Sequence, residues 1–303
     1  MSLAVKDHIS FYSSKDLKNW NLESDFGVNE GAHGGVWECP DLFALKDQNG
    51  NEKWVLLVSI NPNGPQGGSA TQYFVGDFDG KTFTPNHKET KWIDYGADNY
   101  AGVTFSDVPS EDGRRLFIGW MSNWQYAQVV PTYTWRSAMT IPRELNLQND
   151  QGNYMVVSTP VKELDGIIGT PELVKTEQHE VHGNAYYVEM DLVDDQGMIS
   201  LYNNVGEMFS IDMNEGQVTT NRTKSGDHSF SEEFAKIHKA KKLNNKITNV
   251  KLFVDASSVE LFVNDGELVM TELLFPTKPL TKIAVTGVDH YKVSEVKSIW
   301  TKQ

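Results

Sequence analysis

The sequence predicts an all-β protein in two parts, a run of propeller-type blades followed by a β-sandwich. Three observations carry this. Short aromatic and β-branched strands recur with turn signals about every dozen residues. No convincing amphipathic helix interrupts them. A degenerate unit of aromatic-rich strand, turn and acidic loop appears more than once, which is the trace that blades leave in a sequence.

Taken in order, His8-Ile9-Ser10-Phe11-Tyr12 alternates and enters the turn Ser13-Ser14-Lys15-Asp16 ahead of Trp20. The run from Lys53 to Ile60 is apolar almost throughout, as expected of a strand covered on both faces. A glycine- and proline-rich loop, Asn61 to Gly68, leads to a strand from Ala70 to Gly76, and Asp77-Phe78-Asp79-Gly80-Lys81 then closes a hairpin. Gly102 to Ser106, Arg115 to Met121 and Arg136 to Ile141 continue the series. The repeated unit is Tyr12 to Trp20 in one place and Phe74 to Phe83 in another.

The texture changes between residues 146 and 165, where the polar turn Asn149 to Asn153 is followed by a connector, Thr159 to Leu164. Beyond it come regularly alternating strands, among them Ala185 to Leu192, Met208 to Met213, Lys251 to Val254 and Val293 to Trp300. Asn264-Asp265-Gly266 is a strong hairpin signal between two of them. Ser231 to Leu243 is written as a capped helix. The expected division is residues 1–155 for the blades and 156–303 for the sandwich.

Of 303 residues, 39% are hydrophobic and 22% charged, so a packed globule is expected. The net charge of −14 argues against nucleic acid and anionic membrane as partners, since both require a basic face. One cysteine excludes an intramolecular disulfide. No apolar run approaches the roughly twenty residues of a membrane span. Met1-Ser2-Leu3 enters at once on a strand pattern with no leader, which suggests a chain that has lost its natural beginning.

Eight scattered histidines and one cysteine give no metal signature, and His179 with His182 reads as a surface turn. No nucleophile elbow, phosphate loop or dinucleotide fingerprint occurs, and the Asn61 to Gly68 loop lacks the lysine a phosphate cradle needs. Asn221-Arg222-Thr223 is read as a chance glycosylation sequon.

The chemistry is expected in Gly34-Gly35-Val36-Trp37-Glu38-Cys39-Pro40-Asp41-Leu42-Phe43. The two glycines allow a sharp turn or a close backbone approach. A carboxylate between bulky apolar neighbours tends to keep its proton and act as a general acid. The competing reading is a strand-edge glutamate whose neighbours fill a core. Two further stretches, Asp98 to Phe105 and Phe117 to Ala127, set aromatic and amide side chains at strand ends. A carboxylic acid ringed by Trp, Tyr, Asn and Asp suits glycosidic cleavage, because the acid protonates the leaving oxygen and the polar groups hold ring hydroxyls.

These stretches resemble glycoside hydrolase family 32, the β-fructosidases, which include invertases, levanases, inulinases and exo-fructanases. Trp37-Glu38-Cys39-Pro40-Asp41 is similar to the family's Glu-Cys motif, which implies that Glu38 is the catalytic acid/base and that Cys39 helps shape its pocket. The resemblance implies substrate contacts from Trp37, Cys39, Asp98, Tyr100, Trp120 and Asn123. Trp135 to Leu145 resembles the segment that closes the propeller, and Val259 to Gly266 the hallmark hairpin of the C-terminal sandwich. The implied fold is an N-terminally truncated five-bladed propeller followed by a sandwich. The implied ligand is fructan or sucrose, with no cofactor and no metal, in a periplasmic or secreted parent. The Trp and Tyr residues between Ser122 and Tyr133 favour a fructan over sucrose.

The departure from the family pattern matters equally. Family members carry a Trp-Met-Asn-Asp-Pro-Asn-Gly stretch holding the nucleophilic aspartate, and an Arg-Asp-Pro that holds ring hydroxyls; neither occurs in this sequence. A retaining glycosidase needs two carboxyl groups about 5 to 5.5 Å apart. Asp41, three residues beyond Glu38, is expected on the opposite face of the strand, and Asp98 is expected to serve as a hydroxyl ligand. The chain alone is therefore expected to be inactive. A non-catalytic fructan-binding or structural remnant is the alternative. Exposed blade edges are expected either to pair two copies into a homodimer or to be met by a compensating packing across the gap.

Overall fold

Strand periodicity accounts for the backbone almost throughout. The computed structural model describes residues 1–300, which form twenty-five strands, two short 3₁₀ turns and no α-helix. They group into two compact units, one of residues 1–124 and 138–158, the other of residues 125–137 and 159 onward. The boundary expected at residues 155 and 156 takes a different form: the chain changes unit after Ser158, and the segment Gln125–Ser137 groups with the second unit.

The first unit contains β1 (Ser2–Val5), β2 (His8–Ser13), β3 (Asn21–Phe26), β4 (Val36–Lys46), β5 (Glu52–Asn61), β6 (Ala70–Phe78), β7 (Phe83–Pro85), β8 (Lys91–Trp92), β9 (Tyr100–Thr104), β10 (Arg115–Met121), β11 (Ala138–Met139) and β12 (Arg143–Asp150), with β13 (Asn153–Pro160) crossing the unit boundary. Three antiparallel sheets result: β1-β2-β3, then β4-β5-β6-β7 with β8 on β6, then β11-β10-β12-β13 with β9 on β10. The middle sheet is covered on both sides. Leu56, Val58 and Ile60 pack with Trp37, Phe74, Ile9, Phe11 and Phe26, whereas Val55 and Leu57 pack with Phe43, Tyr73, Phe117 and Leu145. That is why β5 has a nearly continuous apolar run rather than an alternating one. The turn expected at Asp77 to Lys81 is present, with Phe78 paired to Phe83 and Gly80 at φ +92°. The sheets lie face against face in series, and among the described residues they do not close a ring.

The second unit contains β14 (Glu172–Val174), β15 (Gln178–Glu180), β16 (Tyr186–Asp191), β17 (Gln196–Tyr202), β18 (Met208–Asn214), β19 (Gln217–Lys224), β20 (Ile237–Lys239), β21 (Asn249–Asp255), β22 (Ser258–Val263), β23 (Leu268–Leu273), β24 (Lys282–Thr286) and β25 (Tyr291–Glu295). Two six-stranded antiparallel sheets form, in the orders β14-β25-β16-β21-β22-β23 and β15-β24-β17-β18-β19-β20. Side-chain bonds cross from one to the other: the Thr220 hydroxyl donates to Glu272 Oε1 at 2.7 Å and Arg222 Nη1 to the Leu273 carbonyl at 3.4 Å. Asn264 and Asp265 adopt φ +49° and +52° and join β22 to β23, as the Asn-Asp-Gly signal predicts.

The helix expected over Ser231 to Leu243 is absent. Turns there lead into β20, which pairs with β19 through Thr219–Lys239 and Asn221–Ile237. Ile237 and Lys239 are exposed while His238 and Ala240 are buried, a period of two that no helix can supply. Burial of His238 is satisfied by Glu272, whose carboxylate lies 2.9 Å from its Nδ1.

Candidate active site

Gly34 and Gly35 act for different reasons. Gly34 turns the chain at φ +88°, a conformation that favours glycine, and Gly35 lies where a Cβ would come within 2.1 Å of the Pro62 carbonyl oxygen. Together they deliver β4 to the edge of the middle sheet. Trp37 then pairs with Ile60 and Glu38 with Ser59, but Asp41 pairs with Leu57. Two residues of β4, Cys39 and Pro40, oppose the single Val58 of β5, so a β-bulge sits at Cys39-Pro40, with Cys39 at φ +50°. Proline inside a strand is confined to edges and bulges, and here both hold.

The extra residue restores Asp41 to the face of Glu38. Ser59 and Leu57 lie two apart on β5, so their partners share one side of the sheet. The expectation that Asp41 faces away from Glu38 is thereby corrected: counting by twos fails across a bulge. Asp41 Oδ2 accepts both the backbone N–H and the hydroxyl of Thr104, at 2.7 and 2.8 Å. Glu38 Oε2 accepts the phenol of Tyr100. Both contacts reach β9, which has a bulge of its own: its pairing with β10 slips between Ile118 and Trp120, beside Ala101 at φ +50°.

Glu38 and Cys39 are exposed. The apolar neighbour expected to desolvate Glu38 is turned to the opposite face, where Trp37 is 1% exposed, stacks with His33 and donates its indole N–H to the Ala32 carbonyl at 2.8 Å. Trp37 therefore offers no face to a sugar; it belongs to the core that supports Glu38. The Tyr100 phenol is pushed far above its usual pKa, by burial first and then by its bond to the Glu38 carboxylate, and stays a donor. The Cys39 thiol is also raised, by burial and then by the charge of Glu38.

Asp98 and Asn123, expected as sugar contacts, are also buried. Asn123 Nδ2 donates to the Ala97 carbonyl at 2.8 Å and its Oδ1 accepts the Ser69 backbone N–H at 3.1 Å. It ties the Asn61 to Ser69 loop to the segment before Tyr100. On the open side Trp120 is partly exposed, with Tyr100 edge-on at 6.2 Å and Trp124 at 5.0 Å. Trp124 is 48% exposed and extends the aromatic wall beyond the residues singled out from the sequence.

Sequence reasoning missed the Asp41–Thr104 contact, for which Pro40 inside a strand was the available signal. It also missed the buried pair beneath Tyr100, for which no local signal exists. Arg143 Nη1 donates to Asp94 Oδ2 at 2.9 Å, and Asp94 Oδ1 accepts the Gly96 N–H at 2.9 Å. Asn99, next to Tyr100, donates to Asp94 as well, at 3.3 Å. The arrangement presents one exposed carboxylate, bonded to a phenol, beside an aromatic wall. No group of His, Cys, Asp and Glu able to hold a metal occurs among the described residues.

Comparison with known proteins fits this geometry. Residues 1–160 match the family model described as the glycosyl hydrolases family 32 N-terminal domain, and residues 160–301 match the family 32 C-terminal model. A levanase of Bacillus subtilis (strain 168) is 41% identical over 99% of this chain and 48% of its own length. An extracellular exo-inulinase of Aspergillus niger is 35% identical over 91% of this chain and 56% of its own length. The crystal structure of exo-inulinase from Aspergillus awamori superposes with a TM-score of 0.88 at 32% identity, over 99% of this chain and 64% of that one. The chain thus spans about half to under two thirds of the length of these relatives.

Proposed function

The chain belongs to glycosyl hydrolase family 32, and from that premise we propose that it carries the acid/base half of a retaining β-fructosidase site acting on terminal fructosyl bonds of fructans or sucrose. The observation that carries this reading is the exposed Glu38 carboxylate, bonded to the Tyr100 phenol beside Trp120 and Trp124. Glu38 protonates the leaving oxygen, Tyr100 orients the carboxyl group, and the indole faces stack on sugar rings. Cys39 shapes the rim. Trp37, Asp98 and Asn123 support the site from beneath. The three stacked sheets of the first unit are part of a five-bladed propeller in this reading, and the second unit is its accompanying sandwich.

A retaining mechanism also needs a nucleophilic carboxylate about 5 to 5.5 Å from the acid. Asp41 is committed to Thr104 and Asp98 is buried, so neither supplies it. No Asp-Pro-Asn or Arg-Asp-Pro sequence occurs in the 303 residues. We therefore expect the chain by itself to release no fructose from levan, inulin or sucrose above the blank, while still binding fructo-oligosaccharide with a change in tryptophan fluorescence. Fructose release that Glu38→Gln abolishes would overturn the expected inactivity. Failure to bind the oligosaccharide would overturn the fructosidase reading itself. Binding without turnover is also what a non-catalytic fructan-binding module would show.

Self-association follows from the first sheet in this reading. Leu3 on β1 and Leu22 on β3 are 45% and 56% exposed on the outer strands of that sheet, and unpaired edges invite pairing. Light scattering is expected to give twice the 34.1 kDa chain mass; a clean monomer counts against it.

A further inference from the structure

We propose that Asp41 and Thr104 form a positioning clamp that sets the reach of Glu38 by fixing the bulge between them. The proposal rests on reading Glu38 as the acid/base. A bulge leaves its extra residue outside the ladder, and Cys39 and Pro40 have no partner on β5. Pro40 has no N–H to offer, and a non-glycine residue at positive φ, as Cys39 is, persists only where its surroundings over-determine it. Something beyond the ladder must therefore hold this turn of chain. The only side-chain tie described for Asp41, at the lower end of the bulge, is the pair of bonds from Thr104.

The partner strand strengthens the inference. β4 and β9 are outer strands of two different sheets, so no backbone ladder joins them. Among the described residues, side-chain bonds of Asp41 with Thr104 and of Glu38 with Tyr100 do, one at either end of the bulge. β9 is bulged at Ala101, between Tyr100 and Thr104. Two irregular strands thus face each other, and the two bonds accepted by Asp41 Oδ2 register them. If Asp41 merely satisfied the Thr104 N–H, its loss would lower stability and leave the bulge geometry unchanged.

Cys39 supplies the readout, because it is the only cysteine and lies inside the bulge. Its thiol should be alkylated across a pH series in the full chain, in Asp41→Ala, Asp41→Asn and Thr104→Val. With the clamp released, Cys39 gains solvent and Glu38 moves off, so the pH midpoint falls and the rate at fixed mildly alkaline pH rises about threefold or more, since the thiolate is the reacting form. Thr104→Val, which removes one of the two bonds, is expected to move the midpoint in the same direction by less, and covers the case in which Asp41→Ala fails to fold. Asparagine keeps an accepting oxygen and is expected to restore the wild-type midpoint. Wild-type midpoints in folded Asp41→Ala and Thr104→Val would overturn the clamp. So would an Asp41→Asn midpoint shifted as far as that of Asp41→Ala, because charge rather than position would then be at work. None of these readings depends on sugar binding, so the fructosidase reading can fail while the clamp stands, and the reverse.

Discussion

Asp94→Ala is expected to destabilise the first unit by about 3–5 kcal/mol, because it leaves the guanidinium of Arg143 buried without its carboxylate. The two side chains are 1% and 0% exposed. Water therefore cannot replace the lost charge, and the Gly96 and Asn99 donors are stranded at the same time. Denaturation followed by tryptophan fluorescence reads this unit well. Trp20, Trp37, Trp54, Trp92, Trp120 and Trp124 lie in it, leaving Trp135 and Trp300 of the eight. A wild-type denaturation midpoint in Asp94→Ala would sink the prediction. The double substitution Asp94→Leu with Arg143→Met is expected to recover much of the loss, since a buried pair replaced by apolar groups of similar volume is often nearly neutral. Asn99 bonds to Asp94 and precedes Tyr100, so the pair also braces the donor that meets Glu38.

The second large effect lies in the sandwich and depends on pH. Glu272 and Arg222 are each 1% exposed, 3.3 Å apart, and His238 lies against the same carboxylate. Burial alone would raise the pKa of Glu272. The His238 ring, the Arg222 guanidinium and the Thr220 hydroxyl outweigh it and hold the carboxyl below its usual range. A depressed folded-state value stabilises the fold above the unfolded pKa, and that stability is lost as pH falls through the folded value. The second unit is thus expected to weaken below the ordinary glutamate range, as Glu272 takes up a proton. Glu272→Gln is expected to cost about 3–5 kcal/mol near neutrality, leaving Arg222 uncompensated, and to flatten the acid limb. Chemical denaturation at a series of pH values from neutral to strongly acidic checks both. An acid limb equally steep in wild type and Glu272→Gln would refute the assignment, and Thr220→Val provides a milder variant of the same test.

Much of this was legible in the residues, for reasons that are local. Alternation marks strands because side-chain direction has a period of two, and Asn264-Asp265-Gly266 marks a hairpin because its backbone angles favour those residues. The nearly continuous apolar run of β5 announced a strand covered twice over. Glu38 stood out through its neighbours, although Trp37 supports the site from the core instead of lining it. What escaped was non-local or broke the period. The bulge at Cys39-Pro40 inverted the face assigned to Asp41. His238 made a strand of a segment whose composition suits a helix, because its partner Glu272 lies thirty-four positions away. The Arg143–Asp94 pair spans forty-nine positions, and no spacing rule connects them.

Among the partners of Arg222 is one from far back in the chain. Its Nη2 donates to the Tyr126 hydroxyl at 2.9 Å, and the Tyr126 ring meets Phe234 edge-on at 5.2 Å. Tyr126 belongs to the Gln125–Ser137 segment, which the chain contributes to the second unit before returning to β11 and β12 of the first. The sandwich is therefore not a cassette. A recombination joint placed at the connector would transplant both sheets and leave behind the tyrosine that plugs their buried charge. Exchange of this module between proteins has to carry the excursion with it, or replace Arg222 and Tyr126 together.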